Sequence, residues 1–264
     1  MKTFSVVTIF PEMFDGFWHN GMVHQALLSE KIRGYAVNLR DYTHDRHKTT
    51  DDRPYGGGCG MVMTPEPLRE ALDAEKAKLP DAKVIMLTPQ GRVFDQKLAR
   101  ELADTPYDYI FVCGRYEGID QRLCDAYADF EISTGDYVLT GGELPAMLVI
   151  DAVARLLPGV LGGEESAEKE SFESGLLEHA HFTRPPEFLG ETAPEVLTSG
   201  HHLNIENWRF ASSLMRTFFK RPDLLMQREL TQDERKLLQK WGHEIDAIIR
   251  NQSFFGTGAL PRDK

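Results

Sequence analysis

Three short glycine-rich strings are the residues best suited to chemistry in this chain: 87–91 (LTPQG), 113–120 (CGRYEGID) and 133–145 (STGDYVLTGGELP). Such strings leave backbone N–H and C=O groups uncovered, where a ligand can approach closely. The first two follow strong strand patterns, and ligands in open α/β sheets sit beyond the carboxyl ends of strands. Together the three predict one composite pocket for a small molecule. None is a phosphate loop. The chain has no GxxxxGK(S/T), and 56–60 (GGGCG) does not fit GxGxxG between a strand and a helix. Nucleoside-triphosphate hydrolysis and a standard dinucleotide site therefore lose their support.

Two single residues could act beside such a pocket. Arg155 lies on a helix-like stretch, 146–157, among Ala152, Val153, Leu156 and Leu157. It reads either as a surface arginine whose stem lies on apolar neighbours or as a guanidinium that stabilises developing negative charge. Glu170 lies in an acidic stretch, and by itself reads as a solvated carboxylate. His44, Asp45, Arg46 and His47, followed by Asp51 and Asp52, match no common metal-ligand spacing. They read as a polar loop at an interface or an RNA surface, and no metal site is predicted.

The elements that must position these residues alternate. Residues 3–10 and 35–40 read as strands, as do the β-branched runs 83–87 and 109–112, with a helical pattern over 95–103 between the last two. This alternation predicts an α/β domain with a mostly parallel sheet. Between Glu164 and Glu178 six acids face one base, Lys169, and apolar content falls, as in a mobile linker or lid. Beyond it, 204–219, 222–227 and 232–250 are helical, with Pro222 at a helix start. The last dozen residues read as a disordered tail.

The totals describe a globular protein of 264 residues with net charge −11. That sign is wrong for a nonspecific nucleic-acid binder, but the charge is uneven. Arg209, Arg216, Lys220, Arg221 and Arg228 outnumber Glu206 and Asp223 between 205 and 228. That stretch reads as a candidate phosphate surface or, equally, a solvated helix face. No stretch is long and apolar enough for a membrane span. Three cysteines without a CxxC pair suit a reduced cytoplasm rather than a disulfide framework.

Read together, FPEMF (10–14), THDRHKTTDDRPYGGGCGM (43–61), LTPQGR (87–92), CGRYEGID (113–120), GDYVLTGGELPAM (135–147), PGVLG (158–162), SFESGLLE (171–178) and TRPPE (183–187) resemble the bacterial tRNA (guanine-N1)-methyltransferase family. They run in the family order over nearly the whole chain. The resemblance implies an α/β fold whose mostly parallel sheet carries a deep trefoil knot of the SPOUT type, plus a small all-α C-terminal domain. It implies an S-adenosylmethionine-binding methyltransferase domain over 1–161, a flexible acidic linker or lid over 162–174, a helical tRNA-binding domain over 175–252, and a tail over 253–264. Pattern reasoning alone gives an unknotted doubly wound sheet, because knots are almost absent from proteins.

The implied reaction transfers a methyl group from S-adenosylmethionine to N1 of the guanine immediately 3′ of the anticodon. The implied cofactor site comprises Leu87, Thr88 and Pro89; Gly114, Tyr116, Glu117 and Gly118; and Thr134, Gly135, Tyr137, Val138, Leu139, Gly141, Gly142 and Pro145. Arg155 matches the family's essential arginine, and Glu170 falls where the family has its aspartate general base. The resemblance also suggests Mg2+, a homodimer, and the tRNA anticodon stem-loop as partner, with Arg209, Arg216, Lys220 and Arg221 as the candidate RNA surface.

Three positions depart from the family pattern: Glu170 for aspartate, Cys59 where proline is frequent, and Thr134 for the commoner isoleucine. Two competing readings stand beside this one, the first kept open by Glu170 and the second opposed by SFESGLLE and TRPPE. One is a non-catalytic RNA-binding protein that retains the pocket. The other is a knotted methyltransferase with another RNA target.

Overall fold

The computed structural model describes residues 1–161 and 170–252, with the side chains of the last helix described through 247. The chain divides into two compact units, Met1–Ala167 and Glu168–Lys264.

The first unit holds β1 (Lys2–Thr8), α1 (Asp15–Trp18), α2 (Gly21–Leu28), β2 (Ile32–Asn38), β3 (Asp51–Asp52), β4 (Val62–Met63), α3 (Pro65–Lys78), β5 (Lys83–Val93), α4 (Gln96–Asp104), β6 (Tyr109–Cys113), α5 (Gln121–Tyr127), β7 (Phe130–Ser133) and α6 (Glu143–Ala154). Five strands form one sheet in the order β2-β1-β6-β5-β7, and every pairing in it is parallel. This is the α/β, mostly parallel architecture that the strand and helix alternation predicts. The short strands β3 and β4 pair separately and antiparallel.

Side chains alternate across each strand with period two, and both faces are covered. On one face Ile85, Leu87, Phe111 and Cys113 pack with Trp18, Leu98, Leu102, Val149 and Val153 from helices α1, α4 and α6. On the other, Val84, Met86, Ile110 and Val112 pack with Leu68, Leu72 and Leu123 from α3 and α5. Two-sided burial explains why β6 reads as an unbroken apolar run. Each fully buried side chain of this size contributes about 1.5–3 kcal/mol. Local signals agree with the helices. Asp95 accepts a hydrogen bond from the Leu98 N–H at 2.8 Å as the N-cap of α4, and Pro65 opens α3.

The second unit holds β8 (Glu187–Phe188), β9 (Glu191–Thr192), α7 (His202–Lys220), α8 (Pro222–Met226) and α9 (Gln232–Gln252). The three helices lie where their periodicity predicts them, and Pro222 does open α8. The expectation of an all-α domain is corrected, because β8 and β9 form a small antiparallel hairpin. Its turn places Leu189 at φ 54° and Gly190 at φ 81°. A ladder this short shows no alternation in sequence, which is why pattern reading passes over it. Thr231 and Glu234 make a reciprocal capping box at the start of α9, with N–H to side-chain distances of 2.8 and 3.2 Å. The Arg228 guanidinium pairs with Glu234 at 2.6 Å. Most of the predicted linker, 162–169, and all of the predicted tail, 253–264, lie outside the described residues. Just past that gap, the Phe172 N–H donates to the Leu176 carbonyl and the Gly175 N–H to the Phe172 carbonyl, forming a tight turn.

Candidate active site

Strands β6, β5 and β7 are parallel neighbours, so their carboxyl ends emerge at one edge of the sheet. The three glycine-rich strings meet there around one cavity of about 340 Å3. This lies within the usual range for small-molecule sites, about 300–1,000 Å3. Leu87, Thr88 and Pro89 line it, as do Gly114, Tyr116, Glu117 and Gly118, and Thr134, Gly135, Tyr137, Val138, Leu139, Gly141, Gly142 and Pro145. Met86, Ile119 and Ile132 add apolar surface. The cavity thus combines a greasy slot with backbone-rich walls, a combination that holds a flat heterocycle with polar edges.

The three walls are built differently. The first is a bulge inside a strand rather than a loop after one. Leu87 and Arg92 both register with Ile132, so residues 88–91 leave the ladder, where Pro89 has no N–H to lose. The second wall turns through Tyr116 at φ 58°, a conformation that costs on the order of 1–3 kcal/mol in a non-glycine residue. Hydrogen bonds hold it: the Gly118 N–H donates to the Arg115 carbonyl, and the Glu117 N–H to the Met61 carbonyl, both at 3.0 Å. The PYGGGCGM loop therefore backs this wall. Burial, then the nearby Asp51 charge, push the Tyr116 phenol up. The third wall returns to the second. The Gly142 N–H donates to the Gly114 carbonyl at 2.9 Å, and a Cβ on Gly142 would lie 2.7 Å from the Cys113 Cα. Only glycine allows that approach.

A buried brace that sequence reasoning missed locks the second and third walls together. The Arg115 guanidinium pairs with Glu143 at 2.9 Å, with side chains only 16% and 1% exposed. The same guanidinium donates to the Thr140 carbonyl at 3.1 Å and lies 4.5 Å from the centre of the Phe10 ring. The Thr8 hydroxyl donates to Glu143 at 2.7 Å. Burial, and then the Glu143 charge, push the adjacent Cys113 thiol well above its usual range, so Cys113 is no nucleophile at neutral pH. The available signal was an arginine inside one glycine-rich string and a glutamate inside another. Their pairing joins residues 28 apart in sequence.

The remaining predicted residues are placed elsewhere. Arg155 follows the last residue of α6. The first turn of α6 borders the cavity, and the 12-residue helix runs about 18 Å at 1.5 Å per residue. Arg155 is half-buried at the far end and does not line the cavity of its own chain. Glu170 is the first described residue of the second unit, at a bend and half-buried. Arg209, Arg216 and Lys220 are spaced seven and four apart on α7 and share a face. Arg209 pairs with Glu206 at 2.9 Å, and Arg221, just past that helix, pairs with Asp223 at 2.7 Å. Exposed pairs of this kind are weak and leave the cations able to meet phosphate.

The His44 segment is a polar turn, as predicted. Asp45 accepts from the Thr49 and His47 N–H groups at 2.8 and 2.9 Å, and those bonds hold its carboxyl below the usual range. His44 meets Glu70 at 2.9 Å on the surface. Among the described residues no helix is long and apolar enough to cross a membrane.

Comparison with known proteins gives a consistent picture. The model of the family described as tRNA (Guanine-1)-methyltransferase TrmD matches residues 1–227. A tRNA (guanine-N(1)-)-methyltransferase of Desulfatibacillum aliphaticivorans is 52% identical over 261 residues, covering 99% of each chain. Proteins of the same name from Desulforamulus reducens and a Marinomonas species are 51% and 48% identical. They cover 88% and 92% of this chain, and 92% and 96% of their own.

Proposed function

Since the chain belongs to the tRNA (guanine-1)-methyltransferase family, we propose that it methylates N1 of the guanine immediately 3′ of the anticodon, using S-adenosylmethionine. The observation that carries this reading is the convergence of all three glycine-rich strings on one cavity. The residues present fit the donor: Leu87, Leu139 and Pro145 provide an apolar slot for adenine, and the glycines bring backbone polar groups within reach. When bound, the donor supplies an electrophilic methyl group on a sulfonium. The names of the relatives favour neither a non-catalytic RNA-binding protein nor another RNA target.

The guanine N1 carries a proton and is a poor nucleophile until that proton leaves. Glu170 takes it, and Arg155 stabilises the negative charge that grows on the guanine carbonyl oxygen. With the donor bound, N1 would take its methyl group and the sulfonium would leave as a neutral thioether. Proton transfer to a carboxylate is uphill without that cation.

Arg155 sits at the far end of α6 from its own cavity, which supports a homodimer in which this residue serves the cavity of the partner. Leu144, Leu148, Phe10 and Met13, all exposed apolar residues, offer a surface for that association. A trefoil knot is supported by the path of the chain. After β7, at the sheet edge, it returns past β5 to bond Gly114 beyond β6. The RNA surface is the face of α7 carrying Arg209, Arg216 and Lys220, with Arg221 beside it, in a helical tRNA-binding domain from 175 onward. Free cysteines and a tRNA substrate support a cytoplasmic setting.

Mg2+ stays part of this proposal, since it keeps several waters and needs only one or two carboxylates beside substrate oxygens.

The test is incubation of the protein with S-adenosylmethionine and an unmodified tRNA transcript bearing guanine 3′ of the anticodon, beside one bearing adenine there. Nucleoside mass spectrometry should find 1-methylguanosine in the first only. Product at another position, or none despite donor binding, would overturn the reading.

A further inference from the structure

Glu178, His179 and His181 are not used by the proposed reaction, yet they point their polar atoms together. One ligand atom from each lies within 4.8 Å of the others. Glu178 Oε1 and His181 Nε2 are 3.0 Å apart, and the two imidazole centres are 4.5 Å apart. In a tetrahedral site with bonds of about 2.0–2.1 Å, neighbouring ligand atoms are about 3.3 Å apart. The Glu178–His181 pair already has nearly that spacing.

The surroundings hold the cluster in place. His179 Nδ1 faces the Ala180 carbonyl at 3.2 Å. A carbonyl only accepts, so the proton sits on Nδ1 and Nε2 keeps its lone pair. Metal-binding histidines show this outer-shell arrangement. The His179 ring lies 6.3 Å from Trp208, which Phe182 also meets edge-on at 6.0 Å. The backbone is pinned on both sides. Glu178 N–H donates to Ser171 Oγ at 2.9 Å, Leu177 N–H to Thr217 Oγ1 at 2.9 Å, and Ala180 N–H to Ser212 Oγ at 3.1 Å. Meanwhile the side chains stay open to solvent, His181 at 64% and Glu178 at 32%, so a cation can enter.

We propose that Glu178, His179 and His181 form a binding site for a first-row divalent transition metal such as Zn2+. Two imidazoles and a carboxylate suit that class and not Mg2+ or Ca2+. The metal replaces the Glu178–His181 contact and leaves a fourth position for water. It clasps residues 178–181 and so stiffens the chain leading into 183–187 (TRPPE).

The test is titration of the untagged full-length protein with Co2+, followed by its visible absorption and by competition with Zn2+. Wild type should bind one equivalent per chain with tetrahedral spectra that Zn2+ abolishes. His179→Ala and His181→Ala should each weaken binding about 30-fold or more. A His201→Ala/His202→Ala variant controls for surface histidines and should bind as wild type does. Circular dichroism and S-adenosylmethionine binding report whether each variant is folded. If the folded His179→Ala/His181→Ala protein binds Co2+ as wild type does, or wild type shows no tetrahedral band, the cluster is an ion pair only and the proposal fails. Loss of the band in the His201→Ala/His202→Ala control would also overturn it.

Discussion

Between β1 and α6, two apolar clusters fill both faces of a five-stranded sheet. From Glu170 onward only Leu176, Leu214, Thr217 and Glu234 are buried among the described residues. The first unit is held by packing. The second is held by hydrogen bonds and helix-end pairs, and it leaves Phe219, Met226, Leu203 and Leu189 strongly exposed. The contrast matches a division of labour. A small-molecule cavity needs walls fixed to a fraction of an ångström, which a dense core supplies. A surface that meets a large partner can be completed by that partner. Substitutions in the two units should therefore fail in different ways.

The largest expected effect separates chemistry from donor binding. Glu170→Gln should lower kcat about 10²- to 10⁴-fold while the donor Kd, read by calorimetry, stays within about threefold. Equal losses in both would remove Glu170 as the base. Next comes the core. Phe111→Ala should cost about 3–5 kcal/mol, and Leu214→Ala about 2. Scanning calorimetry should show each shifting only its own unit's transition, and a single transition moved by both would erase the contrast. Gly142→Val places its side chain against the Cys113 backbone. About 1–3 kcal/mol of overpacking should weaken donor binding roughly 10- to 100-fold and leave tRNA affinity intact. In the second unit, Arg216→Ala with Lys220→Ala should do the reverse. It should weaken tRNA binding several-fold and shallow the salt dependence by about 0.7 per lost phosphate contact. An unchanged salt slope would show that this face does not meet phosphate.

The smallest effect is on acid stability. Glu75 is buried, which pushes its carboxyl up, but hydrogen bonds from Lys78, Ser5 and Tyr35 outweigh that and hold it below the usual value. Its folded pKa is lowered, so its stabilisation is present above the usual glutamate value of about 4.5 and is lost as pH falls through the folded value. Glu75→Gln should therefore flatten the decline of the first unit's melting temperature below about pH 4.5. A variant with the wild-type acid limb would mean other carboxylates, such as Asp129, carry it.

Much of this protein was legible in sequence because the signals were local. Apolar runs such as 109–113 and the capping Asp95 announce strands and a helix start. Glycine-rich strings announce uncovered backbone wherever they stand, so every residue singled out from them lines the cavity. The sheet order, the bulge that makes the Leu87 wall, and the Arg115–Glu143–Thr8 brace were decided only in three dimensions. They depend on which strands become neighbours, and no spacing along the chain encodes that. The same holds for Arg155, whose position among apolar residues says nothing of which end of its helix borders the cavity. It holds again for Glu178, His179 and His181, which are adjacent in sequence but acquire a metal-like geometry only when α7 pins their backbone.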